Sequence, residues 1–173
     1  DPEPGTRMAK PNVEGNAMAG EICAKLDVPF ARVGSLVLAF DEADLSTLRT
    51  LYDRGIQNGV PGLELWDAQQ VHQKEPNLSP TVMGALYAPT AGIVDPWQYA
   101  LAMAEVAVGN GAELHRCAPV TAITPIDGGY AVTTPKGVFE GRYVFNAAGV
   151  FADQVHRLLE QPDYHITPNR GEY

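Results

Sequence analysis

Two rhythms of apolar and polar positions divide this chain. In its first part the spacing is mostly helical. From about Asn12 to Leu26, Met18, Ile22 and Leu26 recur every four residues, which predicts a helix. After Pro29, the run Val33–Phe40 has the length and apolar content of a strand. Asp41 is placed to cap a second helix, with Asp44 at its third position and Leu45, Leu48, Leu51 and Tyr52 as its apolar stripe. Gly55 is expected to end that helix ahead of a turn at Gln57–Gly59. Gly62–Leu65 reads as a short strand. Asp67 then caps a short helix that must stop at Glu75, because the residue before Pro76 avoids the α region. Gly84–Ala88 is a further strand. Asp95 caps a helix with Pro96 in its first position, where a missing N–H costs nothing. Trp97, Leu101, Ala104 and Val108 share one face of that helix, and Gly109 is placed to stop it in a left-handed conformation.

From Ala112 the period shortens to two. Glu113–Cys117 and Val120–Ile126 read as strands, with a hairpin turn at Asp127–Gly129 and a return along Tyr130–Thr134. A second turn at Pro135–Gly137 leads toward a strand at Tyr143–Asn146 and a final helix over about Phe151–Leu159. The expected fold is therefore α+β. A mixed or antiparallel sheet with helices fills residues 1–88, and residues 89–161 run helix, strand, hairpin, strand, helix, like the second half of a nucleotide-binding α/β domain.

Composition narrows the function classes. With 45% hydrophobic and 19% charged residues, the chain has the content of a folded domain rather than a disordered one. Its 12 Lys and Arg against 21 Asp and Glu give a net charge of −9, which argues against a nucleic-acid or anionic-membrane surface. The apolar run Gly34–Phe40 falls far short of the roughly 20 residues that span a bilayer. Cys23 and Cys117 are isolated and fit free thiols in a reducing compartment, or serve simply as small buried hydrophobes. His72, His115, His156 and His165 lack metal-ligand spacing, so no metal is expected. A first residue of Asp and an abrupt Asn169–Tyr173 ending lead us to expect an internal piece of a longer chain.

The most informative segment is Tyr143–Asp153, in which an apolar strand runs through Ala147, Ala148 and Gly149 straight into a helix. Tiny side chains there let a ligand approach the backbone, and the helix start offers N–H groups. The alternative is a tight turn that only packs. Gly109–Gly111 opens like a dinucleotide fingerprint, but it follows a helix and lacks the third glycine. No nucleophile elbow supports a Ser-His-Asp site. Asp41, Glu42 and Asp44 read as helix-start residues, Glu75 as a turn residue, and His115 and His156 as structural or surface histidines. Arg170, beside Gly171, suits carboxylate or phosphate binding, or is an exposed loop arginine.

Asn12–Asn16, Val28–Phe30, Gly34–Val37, Asn58–Val60, Glu75–Pro76, Ala91–Pro96, Asn146–Gly149 and Arg170–Tyr173 follow the opening Asp1–Thr6 in order. Together they resemble FAD-dependent oxidoreductases of the D-amino-acid oxidase superfamily, in particular the bacterial glycerol-3-phosphate dehydrogenases of the anaerobic type, with L-2-hydroxyglutarate oxidases as near relatives. The likeness runs over nearly the whole chain. It implies FAD as cofactor and an N-terminal βαβ with a glycine fingerprint lying before Asp1. It further implies a division into a substrate-side layer (1–88), the middle of the FAD domain (89–161) and the start of a return into the substrate domain (162–173).

Carried over by residue, the resemblance places Val120 where the family's backbone meets the adenine, and Ala147, Ala148 and Gly149 at the turn that passes the FAD. Tyr87 and the stretch Thr90–Gly92 fall where the substrate layer faces the flavin, and Arg170 and Gly171 match an Arg-Gly pair near the active site. No catalytic base is assigned. The implied partners are a small acidic metabolite and a membrane-associated electron acceptor or partner subunit. The implied location is the cytoplasm, peripheral to the inner membrane face. The isolated piece is expected to be inactive and to bind FAD poorly. A non-enzymatic binding or assembly module is the competing reading.

Overall fold

A computed structural model describes residues 2–171, which fall into two units divided between Ala112 and Glu113. Each unit is treated by itself.

The first unit begins with α1 (Ala9–Lys25), which starts three residues before Asn12 because Pro11 is tolerated in a first helical turn. Its expected stripe is not what it buries: Met18 is exposed, while Cys23 and Ala9 are buried. The helix uses small residues for contact, and a side-chain carbon on Gly20 would lie 3.6 Å from the Phe30 ring. Strand β1 (Phe30–Ala31) precedes β2 (Ser35–Ala39), α2 (Glu42–Gln57), β3 (Glu64–Asp67), α3 (Ala68–Lys74), β4 (Gly84–Ala88), β5 (Ile93–Val94) and α4 (Pro96–Gly109).

All three expected aspartate caps form. The Asp41 carboxylate accepts from the Asp44 N–H, Asp95 from those of Trp97 and Gln98, and Asp67 makes a reciprocal capping box with Gln70. The stop signals shift. Gly55 is buried within α2, and the left-handed residue is Gly59 (φ 78°), whose N–H bonds Ile56 while that of Val60 bonds Gly55. Likewise α4 runs through Gly109 and turns at Gly111 (φ 95°), with the Ala112 N–H on Ala107. In both helices the left-handed position lies one residue past the cap, so the second glycine takes it.

Antiparallel strands in the order β2-β4-β3 form the main sheet, with Leu38 opposite Ala85 and Trp66 opposite Ala85 on the other side. Strand alternation sends Ala39 and Leu86 to one face, where they pack with Leu48 and Leu63 and with Leu45, Leu51 and Tyr52 of α2. Ala85 goes to the other face, against Val71 and Val82, flanked by Leu36, Leu38, Trp66 and Leu78. The α2 stripe read from the sequence is thus the stripe that is buried. Trp97, Leu101, Met103, Val106 and Val108 of α4 are exposed, Trp97 most of all.

The second unit is a meander of β6 (Ala122–Ile126), β7 (Gly129–Thr134) and β8 (Gly137–Gly141), paired in that order and antiparallel. A 3₁₀ turn, Gly149–Phe151, leads into α5 (Ala152–His156). Two expected strands are not formed. Glu113–Cys117 and Tyr143–Asn146 have strand-like sequences but no ladder partner among the described residues, and Phe145 is 90% exposed. Apolar alternation predicts a strand only where a neighbour exists to accept its hydrogen bonds.

Candidate cofactor and substrate site

In the second unit the small-residue turn is built by Asn146. Its side-chain amide donates to the Ala152 carbonyl at 2.7 Å, and its Oδ1 accepts from the Ala148 N–H at 3.2 Å. The Phe151 N–H closes the 3₁₀ turn on Ala148 at 3.1 Å. Gly149 has φ 57°, and no atom lies within 4 Å of where its side-chain carbon would stand. The backbone there is open to an approaching group, which is the property that the Ala147, Ala148 and Gly149 assignment requires. Ala147 and Gly149 are exposed and Ala148 half-buried. Below the turn, a cavity of about 370 Å³ is lined by Ile123, Tyr130, Val144, Asn146, Val155 and His156, among others. Val120 is half-buried just ahead of β6, and the neighbouring Thr121 N–H bonds the Thr133 carbonyl at 2.9 Å.

Arg170 and Gly171 are exposed, and Arg170 has no hydrogen bond or ion pair among the described residues. Their segment is fastened further back. The buried Asp153 carboxylate meets the His165 ring at 2.9 Å, the Arg157 guanidinium at 3.3 Å and the Ile166 N–H at 3.4 Å. Burial works against ionisation of Asp153. The Ile166 N–H, His165, the Gln154 backbone and the Arg157 charge outweigh it and hold the carboxyl below its ordinary value.

In the first unit Tyr87 lies half-buried on β4, its ring stacked on Trp66 with centroids 4.2 Å apart. A 280 Å³ cavity beside it is lined by Gly34, Leu36, Leu38, Lys74, Glu75 and Leu78, among others. Thr90 and Gly92 are committed to structure. The Thr90 carbonyl accepts from Arg32 and from Asn16, and a side-chain carbon on Gly92 would stand 2.6 Å from Phe30. A larger cavity of about 690 Å³ lies between α1 and the main sheet, with Asn16, Arg32, Val37, Leu86 and Thr90 in its wall.

The structure therefore gathers Val120, Ala147, Ala148, Gly149, Arg170 and Gly171 into one unit and Tyr87 into the other. Three elements escaped the sequence reading. Asn146 entered as part of a motif, yet it holds the turn. Asp153 carried a readable signal, an acid four residues before Arg157 in the last helix. The tie between Arg32, Asn16 and Thr90 joins segments up to 74 residues apart and left no local trace.

Comparison with known proteins decides the lineage of this site. All of residues 1–173 match the family described as FAD dependent oxidoreductase. The chain belongs to that family. Within the FAD dependent oxidoreductases it is 44% identical over its whole length to a glycerol 3-phosphate dehydrogenase of Caloramator mitchellensis, covering 36% of that protein. It is 31% identical over 99% of its length to the human mitochondrial L-2-hydroxyglutarate dehydrogenase, of which it covers 39%. Among solved structures, the dithionite-reduced L-alpha-glycerophosphate oxidase of Mycoplasma pneumoniae with FAD bound superposes with TM-score 0.84 at 25% identity, over 95% of this chain and 45% of that one. The chain thus spans little more than a third of the curated relatives it matches.

Proposed function

We propose that this chain is the substrate-side layer and the middle of the FAD domain of a dehydrogenase or oxidase. Its substrate would be a small acidic hydroxy compound, glycerol 3-phosphate first. The observation that carries the reading is the 44% identity, over the whole of this chain and 36% of the relative, to a glycerol 3-phosphate dehydrogenase. The match to L-2-hydroxyglutarate dehydrogenase favours L-2-hydroxyglutarate as the second substrate, and an amino acid such as glycine comes third. The division at residues 88 and 161 is part of the proposal. So are a cytoplasmic location at the inner membrane face and a membrane-associated electron acceptor. Among the described residues no helix is long and apolar enough to cross a membrane.

FAD, when bound, supplies the ring that accepts the substrate's hydride. The residues that would hold it are Ala147, Ala148 and Gly149, whose open backbone fits a close approach, with Val120 at the adenine. Asn146 keeps that backbone in one shape through its bonds to Ala148 and Ala152. Arg170 offers an exposed guanidinium whose donors make no bond among the described residues. Such a group binds a phosphate or carboxylate in a two-point, directional way and orients the far end of the substrate. Tyr87, held flat against Trp66, would present its hydroxyl edge in the substrate layer.

The test is steady-state kinetics of the full-length protein with glycerol 3-phosphate, L-2-hydroxyglutarate and glycine, alongside flavin absorbance. A yellow protein with kcat/KM at least about tenfold higher for glycerol 3-phosphate supports the assignment, tenfold being about 1.4 kcal/mol of discrimination. A preference for L-2-hydroxyglutarate overturns the substrate, and a colourless protein without turnover overturns the activity.

A further inference from the structure

We infer that Asp153 is a positioning residue, which grips His165 and Ile166 from the first turn of α5 and so sets where Arg170 can stand. This rests on the reading of Arg170 as the anion-binding group.

Three observations support it. First, Asp153 is 1% exposed, too buried to meet a substrate itself. Second, its contacts are lopsided. His165, Arg157 and Ile166 all converge on Oδ2, while the buried Oδ1 has no donor among the described residues. A carboxylate used on one side only is a costly way to gain stability, and an apolar residue would fill the same space with less desolvation. What the carboxylate supplies is direction, because it fixes two successive residues of the returning segment at one point. The His165 side chain is 70% exposed and closes over the carboxylate from the solvent side. Third, the neighbouring residue is fastened too. The Tyr164 hydroxyl lies 3.2 Å from His156 Nδ1, with the rings edge to face and Glu160 on the other imidazole nitrogen.

Beyond Ile166 the chain has no helix or strand as far as Gly171. Pro168 fixes its own φ and keeps Thr167 extended, so the span is stiffer than a free loop. Five residues reach at most roughly 18 Å, so Arg170 is a cation on a short tether whose origin is Asp153. Release of His165 lets that origin move.

Kinetics of the full-length flavoprotein test this, with glycerol 3-phosphate and with glycerol, which lacks the anion. His165→Ala is expected to raise KM for glycerol 3-phosphate about five- to tenfold with kcat within about twofold, flavin absorbance unchanged and no effect on residual glycerol oxidation. His165→Gln, which keeps a donor, is expected to restore KM to within about twofold. In an Arg170→Ala background, His165→Ala is expected to add nothing further, because the tether then carries no cation. Should Asp153→Asn fail to fold, the His165 pair still decides the matter. If Arg170→Ala raises KM but both His165 variants leave it unchanged, Arg170 keeps its role and the positioning inference falls. If Arg170→Ala itself leaves KM unchanged, the reading of Arg170 falls and takes the inference with it.

Discussion

Gly34 lies so close beneath Tyr87 that a side-chain carbon on it would stand 2.6 Å from the ring and 2.9 Å from the hydroxyl oxygen. Gly34 also has φ 78°, so two independent constraints require glycine there. Gly34→Ala is expected to lower stability by about 1–3 kcal/mol, combining left-handed strain with displacement of Tyr87. Urea unfolding followed by circular dichroism measures this. Tyr87→Ala in the same background should recover the steric part and leave the strain. Full additivity of the two changes would show that the contact is not made in solution.

The α2 side of the main sheet supports a larger effect. Leu48 is 3% exposed and packs on Ala39, Leu63 and Leu86. Leu48→Ala is expected to cost about 2–5 kcal/mol, the range for a cavity opened in a packed core. A loss below about 1 kcal/mol would mean that α2 does not seat on this face.

The caps give a smaller and more local signal. Asp67→Ala removes the carboxylate that accepts from the Gln70 N–H, leaves the bond from the residue 67 N–H to the Gln70 side chain, and should cost about 1 kcal/mol. Asp67→Asn keeps an acceptor and should cost less. Equal losses in the two variants would point to the charge rather than the hydrogen bond.

Acid sensitivity follows from Asp153. Its carboxyl is held below the ordinary value in the folded state, so the unfolded chain binds the proton first as pH falls. The stabilisation is fully present above about pH 4, the unperturbed aspartate range, and disappears as pH drops through the lower folded value. Asp153→Asn should therefore flatten the acid limb of the stability-pH curve. An unchanged limb in that variant would assign the acid loss to other carboxylates.

What the sequence made legible was local. Asp41, Asp67 and Asp95 announced three helix starts because an N-cap needs only its own side chain and the next turn. Gly84–Ala88 was read with its observed bounds, because an apolar run between breakers has few alternatives. Helix ends came out displaced at Gly55 and Gly109, since each pair of nearby glycines leaves open which one turns left-handed. Glu113–Cys117 and Tyr143–Asn146 were read as strands because period alone says nothing about a partner. At the site, Ala147–Gly149 and Arg170 stood out by composition. The grip of Asp153 on His165 did not, because it joins residues 12 apart through a fold that the local pattern does not encode.

The strand order β2-β4-β3 also has a consequence for synthesis. The two outer strands of the main sheet are made first and pair as strands only with the middle one, which is the last of the three to leave the ribosome. Until Gly84–Ala88 emerges, Ser35–Ala39 and Glu64–Asp67 have no sheet to join, and the apolar stripe of α2 has no floor. A nascent chain paused before residue 84 should be open to proteases and to chaperones throughout this region. Five further residues convert it to a closed layer, so the arrival of a single strand times the whole assembly.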